Sequence, residues 1–459
     1  MSKLLLIFIF VSALACMYRW GIGKTFAYVY LPAILFFNSA IPMSLKGIPN
    51  LTASSAVGYA VCVGLLFRWH ELKALRFNVI DAMMLLLLIP PAISTGTNTG
   101  AWESISQTGE LFFVWIMPYL MARIALQDAE SRKAALTVLC VCAGAIGFMA
   151  MIEARLKPYA FSRALEDLNL IRTNGNVQVL WRFGLARAMA TTGQPIDLGA
   201  CGVLLGSMIL LLTPAVGRKW HNALPLIGIL GCGAMVVCSV SFTGFLAMVA
   251  AFGMFVTFSI RGMGRWLVVP AIICIIGAMA FQTNKWVNQE LSTDRPTEQA
   301  AASEWIRVRI VQDSWDIATS SGPFGYGKYL PTDKIGVGSV DNAYLLFIMQ
   351  TGWTYLLGWL ILMVVLAIKG AVALKHAGGV PSMRFPMAAG LAGCFAIFLA
   401  MFTVFYGFVY ALLLCVLMGM ISSMTQMYKQ HAAPQSSRGF AVMPTPVRPG
   451  GFVPAGGAR

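Results

Sequence analysis

Apolar stretches of roughly 20 residues recur along nearly the whole chain, with short polar segments between them. A helix needs about 20 such residues to cross a hydrocarbon core of about 30 Å. We therefore predict about 12 or 13 membrane spans. The first is short enough to resemble a signal-peptide core, but no small-residue cleavage site follows it, so it is kept as a span. The predicted spans are 4–18, 25–40, 52–68, 78–95, 106–125, 133–152, 195–213, 222–239, 243–260, 265–282, 343–369, 386–403 and 406–425.

Composition excludes a soluble protein, because 58% of the residues are hydrophobic and only 11% are charged. The ten cysteines all fall in apolar runs, and no metal-ligand spacing links them to the four histidines. They are predicted to be packing residues and not a disulfide framework or a zinc site. No metal and no cofactor is expected.

Lys and Arg collect in alternate short loops, and such loops stay on the cytoplasmic side. The C-terminal tail from about residue 427 is also basic, lacks acids and is rich in Pro and Gly, which predicts a disordered cytoplasmic segment able to touch anionic lipid. Two long loops are left on the outer side. The predicted inside loops contain Arg68 to Arg76, Arg123 to Lys133, Arg218 with Lys219, Arg261 with Arg265, and Lys369 to Arg384.

The fold class predicted is an all-α integral membrane protein, with two long periplasmic loops and an amphipathic helix in the second. In that loop Pro296 suits the first position of the helix, and Gly322 with Pro323 ends it. Between them, an apolar stripe at helical spacing is formed by Trp305, Val308, Val311, Trp315 and Ala318. The predicted segments are N-terminal transmembrane helices at 1–154, the first loop at 155–194, central helices at 195–282, the second loop at 283–342, C-terminal helices at 343–426 and the tail at 427–459.

The first long loop is unusual because it carries six basic residues against only Glu166 and Asp167, although the positive-inside rule disfavours such a loop outside. Ionisable residues are nearly absent from the middle of the spans, where an ion-coupled transporter would need them. The chemistry is therefore expected at the outer surface. Arginine is the side chain best shaped to bind phosphate through paired hydrogen bonds. A substrate with a lipid tail and a phosphate head would place its phosphate at the outer membrane surface, where the loop arginines lie.

Three residues of the outer loops that could act on a substrate also have purely structural interpretations. Arg309 with Asp313 is spaced as a solvated surface ion pair. Arg187 could snorkel to lipid headgroups. Asp341 could cap the helix that follows it, and a capping role does not exclude a catalytic one.

Two stretches resemble motifs of the O-antigen ligase and O-antigen polymerase superfamily. One is RAMATTGQPIDLG at 187–199, in which an arginine precedes a Pro-Ile turn into a span. In the other, Arg309 and Trp315 lead to PFGYG at 323–327 and then to VDNAYLLFIMQTGW. The resemblance covers roughly 180–365. It implies metal-independent glycosyl transfer from a glycan linked to undecaprenyl diphosphate, at the periplasmic face of the bacterial inner membrane.

The resemblance also implies roles for individual residues. Arg187 and Arg309 would hold the diphosphate, and Arg307 is a neighbour that could take the place of Arg309. The turn SVSFTG at 239–244 lacks an arginine that the family often has there, so Arg182, Arg172 or Lys328 could supply that charge. Asp341 is the candidate general base. Asn342 and Tyr344 are expected to orient hydroxyl groups of the sugar. The tryptophans of the second loop would stack on sugar rings or anchor the loop at the interface, namely Trp286, Trp305 and Trp315.

Asp341 stands where ligases of the lipid A core usually carry histidine, which favours a polymerase of exopolysaccharide or O-antigen repeat units. A ligase acting on lipid A core or on protein is the alternative, and a transporter of lipid-linked sugar is the third interpretation. The expected partners are an undecaprenyl-diphosphate-linked oligosaccharide donor, a glycan acceptor, membrane lipid and a chain-length regulator protein. Nucleic acid is not an expected partner.

Overall fold

The protein is an all-α integral membrane protein, as the hydropathy pattern predicts, and its described strands form two short antiparallel hairpins. The computed structural model describes residues 2–37, 43–45, 48–73, 75–168, 181–182, 184–216, 223–259, 314–328, 342–376, 381–401 and 408–432. The hairpins pair β1 (Met43–Leu45) with β2 (Ile48–Leu51), and β3 (Trp181–Arg182) with β4 (Leu185–Ala186).

The helices follow one another with short connections over most of these ranges. In the N-terminal part they are α1 (Ser2–Trp20), α2 (Ile22–Phe36), α3 (Ala53–Phe67), α4 (Trp69–Lys73), α5 (Val79–Leu86), α6 (Ile89–Thr99), α7 (Ala101–Leu111), α8 (Met117–Ala125), α9 (Ala129–Arg155) and α10 (Ala160–Asp167). The later helices are α11 (Pro195–Leu212), α12 (Ala223–Ser239), α13 (Phe242–Ser259), α14 (314–320), α15 (Ala343–His376), α16 (Pro381–Ala400) and α17 (Phe408–Ala432).

Twelve of the thirteen predicted spans coincide with these helices, and the predicted span 265–282 lies outside the described residues. Within the described part, seven helical stretches are long and apolar enough to cross a membrane, and four more are apolar but shorter. In α11 and α17, 78% and 94% of the most apolar stretch is buried, against 28% in α1. Hence α11 and α17 form the centre of the bundle, and α1 lies at its lipid-facing edge.

Small residues allow the central helices to approach closely. A Cβ atom at Gly147 of α9 would lie 2.4 Å from the carbonyl oxygen of Gly231 in α12. Glycine at such a crossing lets two backbones touch, which is a common basis of helix packing in membranes. The nine described cysteines are all free, and all but Cys62 are buried, which confirms their predicted packing role.

Residues 96–105 are not a loop between spans, although most of them are polar, because α6 and α7 continue through them and meet at Gly100. Gly100 has a φ of +108°, which lets two helices join directly. The Thr97 and Thr99 hydroxyls donate to the carbonyl groups of Ile93 and Thr95, four residues earlier in the helix. Both hydroxyls are thus satisfied within the helix, although bonding of this kind slightly weakens and bends it.

The predicted span 78–95 is split into α5 and α6 by the sequence IPP at 89–91. Proline lacks a backbone N–H and clashes with the preceding turn, so a helix breaks there. The tail also begins later than predicted, because α17 continues to Ala432.

A buried ion pair joins α5, α8 and α17. Asp81 and Arg123 are almost fully buried, and the Arg123 Nε lies 3.4 Å from the Asp81 Oδ1. Arg123 also donates to the Gln426 side chain at 2.6 Å and to the Arg76 carbonyl at 3.0 Å, while the Tyr119 hydroxyl donates to Asp81. Removing either residue would leave the other charge buried and unpaired, which is strongly destabilising.

Candidate functional site

Arg187 and Asn342 lie at the same end of the helix bundle, although 154 residues separate them in the sequence. The chain enters α11 just after Arg187, returns along α12 and leaves again along α13. At the far end of α13 the Phe258 carbonyl accepts a hydrogen bond from Arg384, near the start of α16. Helix α16 therefore runs back to the Arg187 end, where the Met401 carbonyl accepts the N–H of Ala343 at 3.1 Å. We call this end the site end.

The hairpin of β3 and β4 leads directly into Arg187. Its strands pair Trp181 with Ala186 and Arg182 with Leu185, and Gly184 in the connection has a φ of +73°. Arg187 follows the second strand and is buried. The next residue, Ala188, donates its N–H to the carbonyl oxygen of Cys238 at 2.9 Å, which holds this part of the chain against the end of α12.

Glu153, in the last turn of α9, is a fully buried carboxylate that holds the residues after Arg187. Its Oε2 accepts the N–H groups of Met189 at 2.9 Å and Ala190 at 2.7 Å. Its Oε1 accepts the N–H of Phe161, at the start of α10, at 3.1 Å. One carboxylate therefore connects α9, α10 and the 187–190 segment through charge-assisted hydrogen bonds.

The 187–193 segment has an unusual backbone conformation at Ala190, with a φ of +48°. A side chain other than glycine in such a conformation costs roughly 1–3 kcal/mol and persists only where its surroundings hold it. Here Glu153 accepts the Ala190 N–H, and the Ser162 hydroxyl donates to the Ala190 carbonyl at 3.1 Å. The Thr191 hydroxyl donates to the Leu35 carbonyl of α2 at 2.7 Å. Hydrogen bonds from α2, α9 and α10 therefore hold this segment in place.

The tight turn between α12 and α13 lies beside this segment and falls within the stretch SVSFTG, as predicted. Ser239, Ser241 and Thr243 are buried there. The Ser239 hydroxyl donates to the Val236 carbonyl at 2.7 Å, so it closes the end of α12. A Cβ atom at Gly199 would lie 3.0 Å from the Cα of Gly244, so α11 begins in close contact with α13.

Residues 321–328 of the second loop lie against a break in α15, which the sequence did not predict. At Gly352 the backbone leaves the helical conformation, with φ 79° and ψ 174°. Carbonyl groups before such a break lose their partners within the helix. Three of them accept hydrogen bonds from the loop, namely Ile348 from the Ser321 hydroxyl at 3.0 Å, Met349 from the Tyr326 N–H at 2.7 Å and Gln350 from the Gly327 N–H at 3.0 Å.

Helix α6 completes this contact. The Ser94 hydroxyl donates to the Gln350 carbonyl at 2.6 Å, and the Asn98 side chain donates to the Gly325 carbonyl at 3.3 Å. The sequence PFGYG therefore packs on the sequence QTGW, so the two motifs of the second loop are neighbours in space. The predicted end of the amphipathic helix at Gly322 is confirmed, with a φ of +72° there, and its part before residue 314 lies outside the described residues.

Gly352→Ala is expected to destabilise the protein strongly. A Cβ atom at residue 352 would lie 2.1 Å from the Pro323 carbonyl oxygen, and the positive φ adds roughly 1–3 kcal/mol of strain. The measurement is thermal unfolding of the purified protein in detergent. Gly233→Ala on α12 is the matched control, because that glycine is helical and its Cβ would have no atom within 4 Å. Equal midpoints for both variants would contradict the role of the break.

Asn342 supplies the N-cap of α15. Its side-chain oxygen accepts the N–H groups of Tyr344 at 3.0 Å and Leu345 at 3.1 Å. This is the capping pattern that the sequence had suggested for Asp341. The hydroxyl of Tyr344 donates to the Phe398 carbonyl of α16. Asn342 and Tyr344 are both buried and fix the start of α15 on its neighbour.

Residues 227–362 match the family model described as O-antigen ligase. The matched range contains most of α12, all of α13 and α14, and the first part of α15 with the break at Gly352. The match supports the O-antigen ligase/polymerase superfamily for this part of the chain. Members of this superfamily are glycosyltransferase-like enzymes. No curated protein sequence matches the chain significantly.

The structure describes some of the predicted site residues and leaves others outside its described ranges. Asp341, Arg307 and Arg309, with Trp286 and Trp305, lie outside the described residues. The backbone of Arg182 lies on strand β3. Arg187, Asn342 and Tyr344 lie at the site end, and Lys328 and Trp315 lie in the 314–328 segment, where the Trp315 side chain is 50% exposed. The substrate contacts assigned to all of these residues stay predictions.

The structure adds Glu153 to the residues of interest at the site end. The sequence placed it one residue beyond the predicted span 133–152 and gave it no role. A single acid at the end of a span, at the border of a loop rich in arginine, is the signal that would have drawn attention to it. Among the described residues, no three His, Cys, Asp or Glu side chains meet as metal ligands.

Proposed function

We propose that the protein is a polysaccharide polymerase of the bacterial inner membrane. It joins repeat units of exopolysaccharide or O-antigen that are linked to undecaprenyl diphosphate, and its site faces the periplasm. The observation that carries the proposal is Arg187, a buried arginine held in a fixed backbone at the site end. An arginine that is placed in this way before the substrate arrives suits recognition of a diphosphate at the depth of the lipid headgroups.

The reaction breaks the bond between the anomeric carbon of the donor sugar and the diphosphate oxygen. A hydroxyl oxygen of the acceptor glycan forms the new glycosidic bond, and its proton passes to a base. Undecaprenyl diphosphate leaves with added negative charge. Arg187, with Arg309 or Arg307, stabilises that charge in the transition state. Asp341 is the proposed base, a role that typically contributes about 10²–10⁴-fold to the rate.

The choice of polymerase over ligase is supported by the sequence DNAYL at 341–345. An acid at its first position can deprotonate a sugar hydroxyl, and ligases of the lipid A core usually carry histidine there. The ligase is the second candidate, because the matching family model is described as O-antigen ligase. The described part of α15 also contains a broken helix of the kind found in transporters, but protein groups from 321–328 fill that break.

The deciding experiment reconstitutes the purified protein in lipid vesicles with an undecaprenyl-diphosphate-linked repeat unit and with lipid A core as a second possible acceptor. We expect a ladder of products that grow by one repeat at each step. A single transfer to lipid A core, with no ladder, would establish the ligase instead. Movement of the lipid-linked repeat across the bilayer without a new glycosidic bond would overturn both enzymatic functions.

A further inference from the structure

We propose that Glu153 is the positioning residue for Arg187, acting through the backbone between them. The proposal rests on the proposed function of Arg187 as a diphosphate ligand. Glu153 is fully buried, and three backbone N–H groups occupy its two oxygens. It is therefore placed to hold protein groups and has no exposed oxygen to offer to a substrate.

The geometry of these hydrogen bonds couples Glu153 to the Arg187 side chain. Met189 and Ala190 are two and three residues after Arg187, and each peptide unit between them is planar and stiff. Moving their N–H groups moves the Arg187 backbone as well. A misplacement of about 1 Å in a group that stabilises a transition state can cost about 10²-fold in rate. The left-handed conformation of Ala190 makes the segment dependent on this support, because its N–H is one of the three donors.

Glu153→Gln tests the coupling with little change in shape. The amide keeps one acceptor oxygen and turns the other into a donor, so it cannot serve Phe161 on one side and Met189 with Ala190 on the other. We expect the rate per folded protein to fall about 10-fold or more, mainly in kcat. Asp167→Asn is the control, because this acid lies on the loop that follows α9 and has an exposed side chain. The rate of this variant should be unchanged.

A double-mutant cycle separates positioning from general stability. If Glu153 acts through Arg187, Glu153→Gln should lower kcat by less than about 2-fold when Arg187 is already alanine. A purely structural role predicts the same fold loss in both backgrounds, and that additivity would overturn the proposal. Radiolabelled donor allows the slow Arg187→Ala protein to be measured. If it makes no product, the same cycle is run on thermal stabilisation of the protein by undecaprenyl diphosphate.

The remaining outcomes also decide the question. If Arg187→Ala is fully active, both the diphosphate role of Arg187 and the positioning role of Glu153 are wrong. If Arg187→Ala is inactive but Glu153→Gln has a normal rate, only the positioning role is wrong. If Glu153→Gln does not fold, Glu153→Asp takes its place, since it keeps the charge and shortens the reach by one methylene. If neither variant folds, Glu153 is a folding residue and the proposal fails.

Discussion

Arg187→Lys is expected to lose most of the polymerising activity while the protein still folds and inserts into the membrane. Lysine keeps the positive charge, but an ammonium group cannot make the paired, planar hydrogen bonds of a guanidinium to phosphate oxygens. We expect a loss of about 10-fold or more for lysine, and of about 10²–10³-fold for Arg187→Ala, which also removes the charge. The measurement is the rate of ladder formation from the lipid-linked repeat.

Arg163→Lys is the matched control for this change. Arg163 lies on α10, on the same loop, and its side chain is exposed. It should therefore keep nearly full activity. Size-exclusion behaviour and the thermal unfolding midpoint show whether each variant is folded. Full ladder formation by Arg187→Lys would mean that the side chain serves the headgroups or the protein surface instead of the diphosphate.

The arrangement of spans was predictable because a membrane imposes a simple rule on the sequence. Each crossing needs an apolar run of a minimum length, and the ends of such runs are polar. Helices α9, α11 and α12 lie within one or a few residues of the predicted spans. Because each span carries the chain across the membrane once, successive loops lie on alternate sides. This alternation explains why Arg187 and Asn342 were expected, correctly, at the same end of the bundle.

The details of the site end were not predictable, because they depend on contacts between distant residues. The sequence around Gly352 does not predict a break in helix α15, since QTGW resembles any other part of an apolar helix. The break exists because the backbone of 323–327 takes the place of the missing helical partners. Glu153 likewise acquires its role only when the residues after Arg187 fold back on it.

The N-cap of α15 shows how the structure sharpens a question that the sequence left open. An acid and an amide precede the helix, and either can cap it. The structure assigns the N–H groups of Tyr344 and Leu345 to the Asn342 oxygen. A change at Asp341 therefore leaves these two capping bonds in place, and an effect on activity can be interpreted chemically.

Asp341→Asn is expected to give a folded, membrane-inserted protein that binds the donor and makes little or no polymer. Asparagine keeps the shape and a hydrogen-bonding oxygen of the side chain but cannot accept the proton of the acceptor hydroxyl. The loss should approach the roughly 10²–10⁴-fold contribution of a general base. The measurement is again ladder formation, together with thermal stabilisation by the lipid-linked donor to show that binding persists.

Asn342→Ser and Asn342→Ala are the control variants, because they separate the cap from the base. Serine and asparagine cap helices about equally, so Asn342→Ser should be nearly as stable as the native protein, whereas Asn342→Ala should lose about 1 kcal/mol of stability. A general base at residue 341 predicts the opposite pattern for Asp341→Asn, in which activity is lost and stability is kept. If Asp341→Asn instead makes polymer at a near-native rate, the acceptor proton must leave through water or through another residue of the second loop.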